Sequence, residues 1–150
     1  MASTEPVNLV NAPLLARERG LTVQEVRTSE AQDWAGLVTL RATTSSGEHV
    51  LSGTVMRGRP HIVRIEDYWL DLIPEGLLLV SEHIEQPGVL GRMGTLLGDA
   101  RINISFVQVG RRERGGAGLM VVGIDDVLPD DVMRQVLAMP SVRSARLVRL

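Results

Sequence analysis

The stretch from Leu77 to Ile104, LLLVSEHIEQPGVLGRMGTLLGDARINI, leaves this chain few ways to fold. Leu77 to Val80 is an apolar run of strand length. Gln86-Pro87-Gly88 stops it, and Pro87 suits the first turn of a helix, where its missing N–H has no intrahelical partner to lose. Val89, Met93, Leu96 and Leu97 then recur at helical spacing, so one face of that helix can be buried. Gly98 is a stop. Ile102, Ile104 and Phe106 alternate with Asn103 and Ser105, as in a half-buried strand. Gly91, Gly94 and Gly98 fall close to one line on the helix, and each costs roughly 1 kcal/mol relative to Ala. Close packing of helix on sheet is the more ordinary reason for such a line. The sharper reason is a helix N-terminus left bare near Gly88, so that an anion can approach its N–H groups.

Elements continue on both sides of this stretch. Val107 and Val109 change face relative to Phe106, which implies a bulge. Arg111 to Gly116 is a polar hairpin connection, Leu119 to Ile124 a buried strand, and Pro129-Asp130-Asp131 the opening of a second helix. Met139-Pro140 ends that helix, and Val142 to Leu150 is a last strand. From Leu77 the order is therefore β-α-β-β-α-β, a ferredoxin-like arrangement. Upstream, Val7 to Leu15 suggests a short helix that begins at or is crossed by Pro13 and stops at Gly20. A strand follows over Leu21–Thr28, then a polar loop over Glu30–Asp33. Leu37–Thr43, His49–Met56, His61–Ile65 and Tyr68–Ile73 read as an antiparallel meander, with Gly53 at a bulge and a boundary near Pro74. The fold class is α+β: a partial, antiparallel β-rich domain over 1–74, then the βαββαβ module over 75–150.

Composition narrows the functions. The net charge of −2 gives no electrostatic case for nucleic acid or an anionic membrane. No apolar run approaches bilayer length, and the N-terminus has neither a basic region nor an apolar segment of the signal-peptide kind. With no cysteine there are no disulfides, thiolate zinc sites or cysteine nucleophiles, and a cytoplasmic location is the simplest fit. His49, His61 and His83 are isolated, without the paired spacing of a zinc site. The glycines match neither G-x-G-x-x-G nor G-x-x-x-x-G-K-[ST]. No catalytic residue is expected in this chain. With aromatics at 3%, the core must come from Val, Leu, Ile and Met.

The string H-x-E-x-P-G-V-L-G-x-x-G-x-L-L-G-x-x-x-I-N-I, with PSVRSARLVRL at the end, resembles the ACT domain, an amino-acid-sensing module of biosynthetic enzymes. VNLVNAPLLARERGL and SGTVMRGRPHIVRIEDYWLDLIPEG resemble the intervening domain of long-form D-3-phosphoglycerate dehydrogenase. The resemblance implies a regulatory region that binds an amino acid effector, L-serine, for feedback control. It implies NAD only in catalytic domains that this sequence lacks, and an intervening domain present in part. The implied effector residues are His83, Glu85 and Asn103. Glu85 is a departure: the family usually has Asp or Asn there, and the extra methylene could favour another amino acid. Arg57, Arg59, His61 and Arg64 match the place where the family's intervening domain can bind a phosphate-bearing effector.

The same chemistry can be argued from the residues. Backbone N–H groups near Gly88 and Val89 can serve an amino acid's carboxylate. Glu85, or the amide carbonyl of Asn103, can accept from its ammonium. Each residue also has an ordinary reading: His83 as a solvent-facing strand end, Asn103 as a turn closer, Glu85 as an acid at a helix start, and the basic cluster as charged hairpin surface. Family members cover the module's sheet edges by pairing, so a homodimer or larger assembly is expected, through Ile102–Val109 and Pro87–Gly98. Two other readings stay open: the regulatory part of an L-serine dehydratase, and a scaffold that only oligomerises.

Overall fold

A computed structural model describes residues 6–29 and 34–150, and the chain divides into two compact units, Met1–Gln32 and Asp33–Leu150. The first unit holds α1 (Ala12–Glu18), with Pro13 in its first turn, so the proline opens the helix rather than interrupting it. Gly20 follows at φ +71°. The Gly20 N–H donates to the Arg17 carbonyl at 2.9 Å and the Leu21 N–H to that of Ala16 at 2.8 Å, closing the helix as a glycine stop does. The strand expected over Leu21–Thr28 is absent, and Leu21, Val23 and Val26 are exposed. Alternating polarity makes a strand only where a neighbouring strand takes up its backbone groups. The expected loop over Glu30–Asp33 lies outside the described residues.

The second unit carries two four-stranded antiparallel sheets. β1 (Val38–Thr44), β2 (Gly47–Met56), β3 (Arg59–Ile65) and β4 (Tyr68–Leu72) form the expected meander, in spatial order β1-β2-β3-β4. The register slips between Ser52 and Gly53. A Cβ on Gly53 would stand 3.0 Å from the His61 carbonyl oxygen, so glycine lets the two strands approach at the bulge.

The second sheet is built from β5 (Leu77–Ile84), α2 (Val89–Asp99), β6 (Ile104–Arg111), β7 (Ala117–Ile124), α3 (Asp130–Leu137) and β8 (Val142–Arg149). Its order is β6-β7-β5-β8, the split arrangement in which each helix crosses over a strand that belongs elsewhere in the chain. One face is covered by the helices: Leu79, Met120, Val122 and Ile124 pack with Val89, Met93 and Leu97 of α2 and Val132 and Val136 of α3. The other face meets the first sheet, where Leu78, Leu119 and Val121 pack with Tyr68 and Leu72. A bulge is present in β6 but earlier than expected: the register slips between Ile104 and Phe106 rather than after Phe106, and this leaves Val107 on the helix-covered side with Ile104 and turns Phe106 to the other face. No helix among the described residues is long and apolar enough to cross a membrane.

Two details of α2 differ from the sequence expectation. Pro87 is not in its first turn: the helix starts at Val89, and Gly88 occupies the N-cap in a left-handed conformation, φ +87°. Nor do the glycines seat the helix on the sheet. A Cβ on Gly91, Gly94 or Gly98 would meet nothing within 4 Å, because the buried face of α2 is the Val89, Met93, Leu97 stripe. Adjacent residues should therefore respond in opposite ways. Leu97→Ala opens a cavity in the core and should cost about 2–5 kcal/mol. Gly98→Ala should stabilise the free chain by about 0.5–1 kcal/mol. Urea unfolding of both variants measures this, and a destabilised Gly98→Ala would mean that the glycine line is packed after all.

Candidate functional site

His83 lies at the end of β5, on the helix-covered side with Leu79 and Ser81, and only 2% of it is exposed. The room for its ring comes from β7. Gly118 is the ladder partner of His83, and a Cβ there would stand 2.9 Å from Nε2. The expectation of a solvent-facing strand end is thus wrong: the strand pairs on both sides almost to its last residue. Among the described residues, His83 Nδ1 and Ser141 Oγ are the buried side-chain polar atoms without a hydrogen-bond partner. The two are near neighbours in the ladder, since Ile84 N–H donates to the Ser141 carbonyl at 2.8 Å and His83 pairs with Val142. Burial holds the His83 imidazole below its ordinary pKa, against a weaker upward pull from the Ser81 backbone and Glu85.

Glu85 follows in the loop and ties it to the β6–β7 hairpin. Its Oε2 accepts from the Gly115 N–H at 2.7 Å, its Oε1 accepts from Arg111, and its own N–H donates to the Gly116 carbonyl at 2.8 Å. The Gly115 N–H, then Arg111, hold its carboxyl below the usual range. An aspartate would be one methylene shorter, so the longer side chain is what spans to the hairpin.

Next comes the N-terminus of α2, which no side chain caps and whose first turn holds no acid. The Val89 N–H donates to the Gln86 carbonyl at 3.3 Å, within the turn, and Arg92 lies over Gly88. Gly88 and Arg92 also line a groove of about 810 Å3 between α2 and α3, with Gly91, Thr95, Asp131 and Gln135. His83, Glu85 and Asn103 are not part of that groove.

Asn103 stands apart. It precedes β6, and Ile104 pairs with Ile124, whereas His83 and Arg111 pair with Gly118. At about 3.3 Å per residue, Gly118 and Ile124 are about 20 Å apart along β7. One chain therefore gathers His83, Glu85, Gly88 and Val89 at one end of the sheet and leaves Asn103 at the other. There Asn103 Nδ2 donates to Asp125 Oδ2 at 2.6 Å, which turns the amide carbonyl away from Asp125.

The basic cluster is largely matched by acids. Arg59 Nη2 is 2.9 Å from Glu75, His61 Nδ1 is 2.6 Å from Asp71, and Arg64 is 3.2 Å from Asp67. Arg64 also lies over Trp69, 5.7 Å from the ring centre. Arg57 sits in the β2–β3 turn at φ +50°. Among the described residues no group of His, Cys, Asp or Glu could hold a metal ion. Sequence reading missed Gly118, Arg111 and Gly115, the residues that seat His83 and engage Glu85. Each belongs to another strand or hairpin, and no local pattern marks it.

The D-3-phosphoglycerate dehydrogenase intervening domain matches residues 1–66, and the ACT domain matches residues 78–139. Among whole proteins the chain is similar to D-3-phosphoglycerate dehydrogenases. The protein of Methanocaldococcus jannaschii is 33% identical over 144 residues, covering 96% of this chain and 27% of that protein. That of Synechocystis sp. is 34% identical over 150 residues, with 99% and 27% covered. That of Bacillus subtilis is 33% identical, with 96% and 28% covered. The chain thus spans about a quarter of the length of the relatives it matches.

The buried imidazole carries a pH signature. A folded-state pKa below the reference of 6.5 means that the unfolded chain takes up the proton first. This contribution to stability is present above 6.5 and is lost as pH falls through the folded-state value. Urea unfolding between about pH 7.5 and about pH 5 should show stability falling with acid, and His83→Gln should flatten that slope by up to one proton. An unchanged slope would mean that His83 is not held neutral by burial.

Proposed function

Because the chain belongs to the D-3-phosphoglycerate dehydrogenase family, as its C-terminal regulatory part, we propose that it binds L-serine for feedback control of serine synthesis. The observation that carries this reading is His83 Nδ1: a buried ring nitrogen without a partner, at the strand end from which Glu85 and the uncapped N-terminus of α2 follow. Leaving a buried polar atom unpaired is costly, and a bound zwitterion gives it a partner. The effector's carboxylate goes to the N–H groups at the start of α2, beside His83. Its ammonium goes to Glu85, in competition with Arg111.

Asn103 reaches such a ligand only from a second copy, since within one chain it lies at the far end of the sheet. The reading therefore includes a homodimer in which the His83 end of one module faces the Asn103 end of the other. The glycine line of α2, open in the single chain, supports a contact there. The protein acts in the cytoplasm with the dehydrogenase, whose NAD-dependent chemistry belongs to residues outside this chain. The Arg57, Arg59, His61 and Arg64 cluster is a weaker proposal, for a phosphate-bearing effector, because acids already occupy most of its charge.

Saturating L-serine should raise the melting temperature, since ligand at about a hundred times its dissociation constant adds about 2.7 kcal/mol to the folded state. Asn103→Ala and His83→Ala should each remove most of the shift. Mixing the two variants should restore binding at roughly a quarter of the sites, because each mixed dimer keeps one intact site. A shift that survives Asn103→Ala in a folded protein would overturn the shared site. A shift with another amino acid would change the ligand and keep the sensor. No shift with any of them would leave a module that only oligomerises.

A further inference from the structure

Gly110 and Arg111, the last residues of β6, and Arg112 just after it face two different layers. After the bulge, Val107, Val109 and Arg111 point to the helix-covered side, while Gln108, Gly110 and Arg112 point toward the first sheet. Gly110 passes so close to β4 that a Cβ would stand 3.0 Å from Tyr68 Cβ and 3.1 Å from the Trp69 carbonyl oxygen. Arg111 pairs with Glu85. Arg112 pairs with Asp67 and lies over the Tyr68 ring, 5.4 Å from its centre.

The turn that Arg112 grips is held from several directions. Glu66 adopts φ +51°, a conformation that side-chain-bearing residues rarely take. Its N–H donates to the Val50 carbonyl at 2.7 Å, and its carboxylate accepts from His49 at 3.0 Å and from the Val50 N–H at 3.2 Å. Arg64 donates to the Glu66 carbonyl at 2.6 Å and pairs with Asp67 at 3.2 Å. A turn under strain depends on its anchors, and Arg112 is the anchor that comes from the other sheet.

We propose that Gly110, Arg111 and Arg112 form a connector that carries the state of Glu85 through the second sheet to the β3–β4 turn, so that an amino acid's ammonium taking Glu85 loosens that turn. The proposal rests on Glu85 being where the effector's ammonium goes. When the ammonium takes Glu85, Arg111 loses its partner, and β6 loses its side-chain tie to the loop after β5, while the Glu85 N–H stays on the Gly116 carbonyl. Arg112, the next residue, shares that backbone, and the close approach of Gly110 to Tyr68 and the Trp69 carbonyl passes a shift of β6 directly to β4. Exposed ion pairs are individually weak, so the connector is readily switched.

Hydrogen exchange on the whole chain tests this with and without a ligand. Glu85→Gln, which removes the charge that Arg111 answers, should speed exchange at Glu66–Trp69 by about two- to fivefold, the size an exposed ion pair allows. The Arg57–Arg59 turn, at the opposite end of β3, should not change. Arg111→Gln should reproduce the effect and Arg111→Lys should restore the parent rate. In an Arg112→Gln background, Glu85→Gln should add nothing further at Glu66–Trp69. Saturating L-serine on the parent should mimic Glu85→Gln. An unchanged Glu66–Trp69 rate in Glu85→Gln overturns the connector, as does an equal increase at Arg57–Arg59, even where L-serine still raises the melting temperature. A faster rate in Glu85→Gln without any response to L-serine supports the connector and removes serine as its input.

Discussion

Strand β7 is buried on both faces, and the second unit depends on that. Met120, Val122 and Ile124 meet the helices while Leu119 and Val121 meet the first sheet, so one strand is a wall of two hydrophobic cores. Its backbone groups have no access to water and are satisfied by ladders with β5 on one side and β6 on the other. A strand that is apolar on both faces has a weakness: a one-residue slip exchanges one apolar set for another and meets no polarity penalty. Glycines supply the missing specification. Gly118 lies under the His83 ring, and a side chain at Gly123 would collide with Phe106 and Ser105. Each fits at one register only.

That register sets the geometry of the candidate site. It places His83 opposite Gly118 and puts the β6–β7 hairpin beside the loop after β5, where Glu85 reaches Arg111 and Gly115. It also sends Asn103 to the opposite end of the sheet, next to Asp125. The interactions near Glu85 are mostly exposed and so are screened by salt, whereas the cores on either side are not.

Much of the second unit was legible from spacing. The apolar runs of β5 and β7 and the 3.6-residue stripe Val89, Met93, Leu97 each identify an element before any contact is known. In the first sheet, the glycine at position 53 marked its own bulge. Local signals failed where the outcome depended on a partner. Leu21–Thr28 has strand-like residues, but among the described residues no strand is paired with it. Gly91, Gly94 and Gly98 have the spacing of a packed line, yet they face open space, because periodicity marks a face without saying what lies opposite.

The sequence by itself determined the order of elements, the apolar stripes and the residue types available to an amino acid's two charges. Those follow from short-range periodicity and from side-chain chemistry, which need no third dimension. Only the tertiary structure decided that His83 is buried and unpaired, that Glu85 is already engaged by Arg111 and Gly115, and that Asn103 lies about 20 Å along the sheet from them. The reason is physical: these outcomes depend on which strand lies beside which and in what register, and that is settled by burial summed over the whole unit rather than by any stretch of chain within it.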